Sequence, residues 1–234
     1  MNRFLRNEML FTPEGAAKLA NKSVTVFGAG GVGGYVCEML CRSGIGAITV
    51  VDHDVIDETN INRQIIALTD TVGQPKVETI AARMRQINPD CQVTPLRAFL
   101  LPENKDEFDF THPDFVVDAI DTVSAKLTIV EECIKHGVPV ISAMGTGNKM
   151  RPEMLEITDI SKTEGCPLAR VMRRELRARG ITHLPVVYSK EQPIKPAFIP
   201  EGSSKGAATP ASSPFVPSAA GILIASYVVR ELLM

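Results

Sequence analysis

Val24 to Tyr35 reads VTVFGAGGVGGY, and this stretch decides the fold. Val24 to Phe27 is short, uncharged and rich in β-branched residues, the composition of a strand buried inside a sheet. Glycines end it, and the apolar spacing from Val32 to Arg42 predicts a helix. A strand that turns through Gly28, Gly30 and Gly33 into a helix shows the Gly-x-Gly-x-x-Gly pattern in the context that gives it meaning. Without Cβ atoms, these residues and Gly31 let the backbone turn tightly and bring amide groups against phosphate oxygens, with the positive end of the helix behind them.

Outward from that loop, strand and helix patterns alternate. Ile48 to Asp52 (ITVVD) predicts a second strand, and Val77 to Ile87 a helix stopped by Asn88-Pro89. Gln92 to Leu96, Phe115 to Asp121 and Val138 to Met144 predict three further strands. Such alternation implies a Rossmann-like α/β fold, a doubly wound and mostly parallel sheet covered on both faces, over residues 23–150. Residues 1–22 are expected to form an N-terminal helical arm. After Gly147 the pattern changes to a strand at Met154 to Thr158, a basic helix at Leu168 to Arg179 and a strand at Leu184 to Tyr188. Residues 151–234 are therefore expected to form a smaller substrate lobe. Within it, the breaker-rich segment 200–214 reads as a flexible loop, and Ala219 to Met234 as a helix returning to the core.

Composition narrows the function classes. With 234 residues, 44% of them hydrophobic, the chain is long enough for a sizeable core, and a net charge of -2 argues against a surface basic all over. The five cysteines are scattered and include no Cys-x-x-Cys pair, so reduced thiols and no zinc site are expected. The first residues lack the apolar run of a secretory signal, and Ala219 to Val229 is short and carries Ser226. A cytoplasmic protein without a membrane segment is the expectation.

The glycine loop alone fits NAD or FAD as well as ATP, and Asp52 at the end of the second strand, about 20 residues on, suits a ribose hydroxyl in either case. Asn60, Arg63, Gln64 and Lys76 shift the balance. Hydride transfer requires no cationic clamp, whereas attack on an α-phosphate must stabilise charge on phosphorus and on departing pyrophosphate. Asp118 and Asp121 fall at the carboxyl end of the fourth strand, where ligands bind in open sheets; Asp121 suits Mg²⁺, and Asp118 reads equally as a helix cap.

These residues together resemble the adenylate-forming family that contains the molybdopterin-synthase and thiamine-biosynthesis adenylyltransferases and the ubiquitin-activating enzymes. Gly28 to Gly33, Asp52 and Asp54, Asn60-x-x-Arg63-Gln64, Gly73-x-x-Lys76 and Asp118-x-x-Asp121 follow the family's order and spacing. The resemblance implies that Asp52 binds ribose, that Asn60, Arg63 and Lys76 hold phosphates, and that Asp121 supports Mg²⁺. It further implies a homodimer in which Arg6, from FLRNEML, reaches into the neighbouring subunit's site. Arg63, Lys76, Asp121 and Arg6 are thus the expected catalytic set. A monovalent cation and a sulfur-relay partner stay open.

The second half resembles the tRNA threonylcarbamoyladenosine dehydratases, through Ile157 to Ile181 (ITDISKTEGCPLARVMRRELRARGI), Val186 to Pro193 and Phe215 to Ser226. That likeness implies ATP-dependent cyclisation of a tRNA modification through an adenylated carboxylate. Between residues 162 and 179 six cations, among them Lys162, Arg170, Arg173, Arg174 and Arg177, face only Glu164 and Glu175, which suits contact with tRNA phosphates as well as a solvated helix face. Cys166 reads as structural or as a nucleophile. The rival reading is activation of a sulfur-carrier or ubiquitin-like protein C-terminus, although such enzymes usually carry the zinc cysteines missing here.

Overall fold

A computed structural model describes residues 2–198 and 210–234. Helices α1 (Leu5–Phe11) and α2 (Pro13–Ala20) form the N-terminal arm, with Pro13 at the first turn of α2 and the Thr12 hydroxyl accepting from the Gly15 amide at 3.2 Å. The strands are β1 (Ser23–Phe27), β2 (Ala47–Val51), β3 (Gln92–Leu96), β4 (Phe115–Asp118), β5 (Val140–Ala143), β6 (Leu155–Asp159) and β7 (Pro185–Ser189). The remaining helices are α3 (Gly33–Arg42), α4 (Lys76–Ile87), α5 (Val123–His136), α6 (Pro167–Ala178) and α7 (Phe215–Leu233).

One seven-stranded sheet runs in the order β3-β2-β1-β4-β5-β7-β6, and β6 alone is antiparallel. Register follows the apolar alternation: Val24, Val26, Ile48 and Val50 point to the face covered by α3, α4 and α7, while Phe27, Val51 and Val116 point to the face covered by α5, α6, Phe108 and Phe110. Strand order reverses between β1 and β4, so the connections after these strands diverge and leave a crevice beyond their carboxyl ends.

Residues 151–234 add β6, β7 and two helices to this same sheet, with β7 pairing β5 through Ser142 and Val186. The fourth strand ends at Asp118, which leaves Asp121 in the turn before α5. α7 is longer than the apolar run suggested: at 19 residues it is long and apolar enough to cross a membrane. It lies over α3, with Ala220, Ile224 and Val228 in the core, and each branched side chain so buried contributes about 1.5–3 kcal/mol. Residues 199–209, which include most of the expected flexible segment 200–214, lie outside the described residues. Its end is tied down: the Ala211 amide donates to Asn148 Oδ1 at 2.8 Å, its carbonyl accepts from the Asn148 amide at 2.7 Å, and Ser213 is buried.

Candidate active site

Above the carboxyl ends of β1, β4 and β5 lies a cleft of about 820 Å³. Its floor is the glycine loop. Gly28 has φ 98°, and a Cβ there would sit 2.7 Å from the Ala119 carbonyl oxygen. A Cβ on Gly33 would fall 1.8 Å from the Gly28 carbonyl oxygen, so these two glycines allow the backbone to fold on itself. The amides of Gly30, Gly31, Val32 and Gly33 meet no acceptor among the described residues, and Val32 offers no side-chain cap to α3. Four adjacent unpaired donors at a helix N-terminus form a seat for phosphate.

Asp52 closes this seat from β2. One of its oxygens accepts from the Ala29 amide at 2.7 Å and the other from the Asp54 amide at 2.9 Å, so the carboxylate fixes the glycine loop and keeps lone pairs for a further donor. Lys76, buried at the start of α4, pairs with Asp54 at 2.6 Å. The Arg63 guanidinium donates to the Thr59 carbonyl at 3.0 Å and to Asn62 Oδ1 at 2.9 Å, at the cleft wall. Asn60 is buried, and its Oδ1 accepts from the Asp57 amide, which stiffens the turn that carries Arg63. Gln64 is buried too, and its Oε1 has no hydrogen-bond partner among the described residues. An orphaned acceptor beside the cleft suits a ligand donor. His53 and Phe99, which the sequence reading passed over, meet at 4.4 Å between ring centroids along the same wall.

Asp118 does not cap a helix. Fully buried, it pairs with Lys126 at 2.8 Å and accepts from the Ser142 hydroxyl, while α5 starts from Thr122 without a side-chain cap. Lys126 Nζ also donates to the carbonyls of Ile120 at 3.1 Å and Ala143 at 2.8 Å, and thereby joins the two loops that flank the cleft. No sequence motif pointed to Lys126, because its partners come from two other segments, the end of β4 with the turn after it and the end of β5. Asp121 is exposed at the rim, with no ion-pair partner among the described residues.

The far wall is Gly145 to Lys149, Cys166 at the head of α6, and Ser212. Asn148 holds φ 58°, and the Asn62 amide group donates to the Ser212 carbonyl at 2.9 Å, so Ala211 and Ser212 bridge both sides of the cleft. Lys149 is buried, and desolvation pulls its pKa below the usual lysine value. All five cysteines are buried, and only Cys166 borders the cleft.

The basic helix divides its charges. Arg173 turns inward and donates to the Thr163 carbonyl at 2.6 Å, fastening the turn before α6. Arg174 pairs with Glu175 at 2.8 Å, and Arg179 with Glu175 and also with Glu131 of α5, a carboxylate that the local count omitted. Lys162, Arg170 and Arg177 are exposed and have no carboxylate within ion-pair reach among the described residues. Arg6 is exposed on α1 and does not line its own chain's cleft.

Residues 4–233 match the ThiF family. The chain is 43% identical, over its whole length and 95% of the relative, to the tRNA threonylcarbamoyladenosine dehydratase of Bacillus subtilis. It superposes on the crystal structure of the E. coli tRNA N6-threonylcarbamoyladenosine dehydratase in complex with ATP with a TM-score of 0.89 at 32% identity, covering 99% of this chain and 93% of that one. The AMP complex of the E. coli enzyme matches equally, with a TM-score of 0.89 at 33% identity and 94% of that chain covered.

Proposed function

The chain belongs to the ThiF family, and on that premise we propose that it dehydrates threonylcarbamoyladenosine in tRNA to a cyclic product at the expense of ATP. The observation that carries this reading is the continuity of the cleft from the glycine loop to Cys166, Pro167 and Leu168 at the head of α6, in a chain similar throughout to a dehydratase. Nucleotide and modified base can then share one cavity.

The chemistry follows from what the residues can do. The carboxylate of the modification attacks the α-phosphorus, the bond to the β-phosphate oxygen breaks, and pyrophosphate leaves. An internal nucleophile of the same modification then attacks the acyl-adenylate carbonyl, loses its proton and expels AMP, so the net loss is one water. The free amides of Gly30 to Gly33 seat the phosphates, Asp52 faces the ribose, and Arg63 and Lys76 offset charge developing in the first step. Asp121 and the phosphates would hold Mg²⁺, to which its unpaired oxygen ligands at the rim are suited; when bound, the ion draws charge from the phosphate oxygens. No protein nucleophile is required. The reaction belongs in the cytoplasm, and the apolar face of α7 is occupied by the core.

Mass spectrometry of tRNA nucleosides after incubation with protein, ATP and Mg²⁺ tests the reading directly. Cyclised nucleoside and pyrophosphate are expected. Pyrophosphate released only on addition of a Gly-Gly-tailed carrier protein would favour the rival instead.

The tRNA surface is assigned to residues 151–234, with Lys162, Arg170 and Arg177 as its phosphate contacts. Reversing these three to Glu is expected to weaken tRNA binding and to flatten the log-log salt dependence by roughly 2 to 3, since each lost contact removes about 0.7–0.9 of slope. ATP binding should not change. Unaltered tRNA affinity and slope across a salt titration would show that α6 is a solvated face.

The active form is assigned as a homodimer with Arg6 acting in trans. Support comes from α1, where Leu5, Met9 and Leu10 are 53%, 81% and 78% exposed beside Arg6. Mixing Arg6→Ala subunits with Asp121→Asn subunits is expected to recover part of the activity, through one intact site per mixed dimer. Absence of recovery despite measured subunit exchange removes Arg6 from the site.

A further inference from the structure

Three lysines at the cleft are buried, and two of them, Lys76 with Asp54 and Lys126 with Asp118, have a carboxylate partner within ion-pair distance. Lys126 is fully enclosed and has Asp118 at 2.8 Å together with two carbonyls, so its charge and all its donors are met. Lys149 is 3% exposed, and its Nζ donates to the carbonyls of Gly145 and Ser189, each at 3.1 Å. An ammonium group has three N–H donors. The third finds no acceptor among the described residues, and none of their carboxylates lies within ion-pair distance. Glu191, the acidic group beside it, is turned away: its oxygens accept from the amides of Met150 and Arg151 at 2.9 to 3.0 Å.

The backbone around Lys149 is held from several sides. Asn148 sits in the left-handed region and exchanges hydrogen bonds with Ala211, its carbonyl accepts from the Ile194 amide at 2.7 Å, and Ser213 Oγ donates to the Lys149 carbonyl at 3.2 Å. A buried cation with a free N–H, with Glu191 and Cys166 near it but no carboxylate within ion-pair distance, costs stability, and a loop held in the left-handed region beside a cleft is a place where such a cost serves function. The loop follows β5, two strand positions from β1 and its glycine loop, a separation of about 10 Å across the sheet. A nucleotide at one side and an acyl group at the other therefore fit the same cleft.

We propose that Lys149 is the binding residue for the substrate carboxylate that becomes adenylated, an assignment that rests on the function proposed above. Its free N–H donates to the carboxylate oxygen that does not attack phosphorus. After pyrophosphate leaves, that oxygen is the carbonyl oxygen of the acyl-adenylate. Ring closure places negative charge on it until AMP departs, and the same ammonium opposes that charge without transferring a proton.

Three variants test the assignment: Lys149→Met removes the charge and keeps the bulk, Lys149→Gln keeps a donor for the two carbonyls, and Lys149→Arg keeps the charge. Lys149→Met removes a buried charge but also leaves the Gly145 and Ser189 carbonyls without their donor, so it is expected to melt somewhat below the wild-type temperature and to stay folded at the assay temperature. Its kcat/KM for modified tRNA should fall about 100- to 1000-fold while the calorimetric Kd for ATP stays within about twofold, and Lys149→Arg should recover part of the loss. If Lys149→Met does not fold, Lys149→Gln carries the same kinetic test. Wild-type kcat and KM in the neutral variants would overturn the proposal. So would weakened ATP binding with unchanged tRNA kinetics, which would put Lys149 on the phosphates. If the wild-type protein itself yields no cyclised nucleoside, the proposed function fails, independently of Lys149.

Discussion

Alanine at Lys76 or at Arg63 is expected to lower pyrophosphate release by about 100- to 1000-fold and to leave the fold intact. The size comes from the general loss of about 2.7–4 kcal/mol when one preorganised donor is removed from a developing anion. Preorganisation is visible in both residues. Lys76 opens α4 behind Pro75, its amide donates to the Asp54 carbonyl at 3.0 Å, and its ammonium is held by the Asp54 carboxylate at the cleft wall. Arg63 is braced by Thr59 and Asn62 on a turn stiffened by Asn60. The fold should survive, because Asp54 is 48% exposed and water can solvate it once Lys76 is gone. Urea titration establishes the intact fold and a pyrophosphate assay reads the rate. Wild-type turnover in the Lys76→Ala, Arg63→Ala double variant would falsify the phosphate assignment.

The second large effect is on stability. Lys126→Met should destabilise the protein by about 3–5 kcal/mol, since it strands the Asp118 carboxylate in a site where both side chains are completely enclosed. A domain of this kind has roughly 5–15 kcal/mol in all, so about a fifth or more of the total is at stake. Removing both charges should cost less than removing one, and an Asp118→Leu, Lys126→Met double variant is expected to regain much of the urea midpoint. Loss of the lysine also frees the carbonyls of Ile120 and Ala143, so folded protein at low temperature should bind nucleotide more weakly. An unchanged urea midpoint in Lys126→Met would mean that Asp118 does not depend on this partner.

Both predictions concern one cleft, yet only the first could be written from the sequence. Lys76 and Arg63 stood out because they follow the glycine loop and Asp52 in an ordered pattern, and the part of it from the glycine loop to the two cations spans only Gly28 to Lys76. Lys126 stood in no pattern. Its acceptors are Asp118, Ile120 and Ala143, and the last lies 17 residues away at the end of the next strand. Lys149 is the same case over a longer reach, with Ser189 40 residues away.

The α6 arginines show the limit within a single helix. Charge counting treats Arg170, Arg173, Arg174 and Arg177 alike, but the buried stripe of Ala169, Met172 and Leu176 sets the rotation of the helix. Arg173, at the edge of that stripe, meets Thr163 and is used in the fold, whereas Arg170 and Arg177 project to solvent.

By itself the sequence determined the α/β class, the strand that leads into the glycine loop, the presence of Arg63 and Lys76 among the residues at the cleft and the apolar character of α7. Each depends on local periodicity or on the backbone freedom of a glycine, and both act over a few residues. Only the tertiary structure decided that β7 lies between β5 and β6, that Asp118 belongs to Lys126, that Arg173 turns inward, and that Lys149 is buried with no carboxylate of the described residues within ion-pair distance. Those outcomes depend on which distant segments meet when the sheet closes, and a buried charge acquires its partner, or goes without one, only at that meeting.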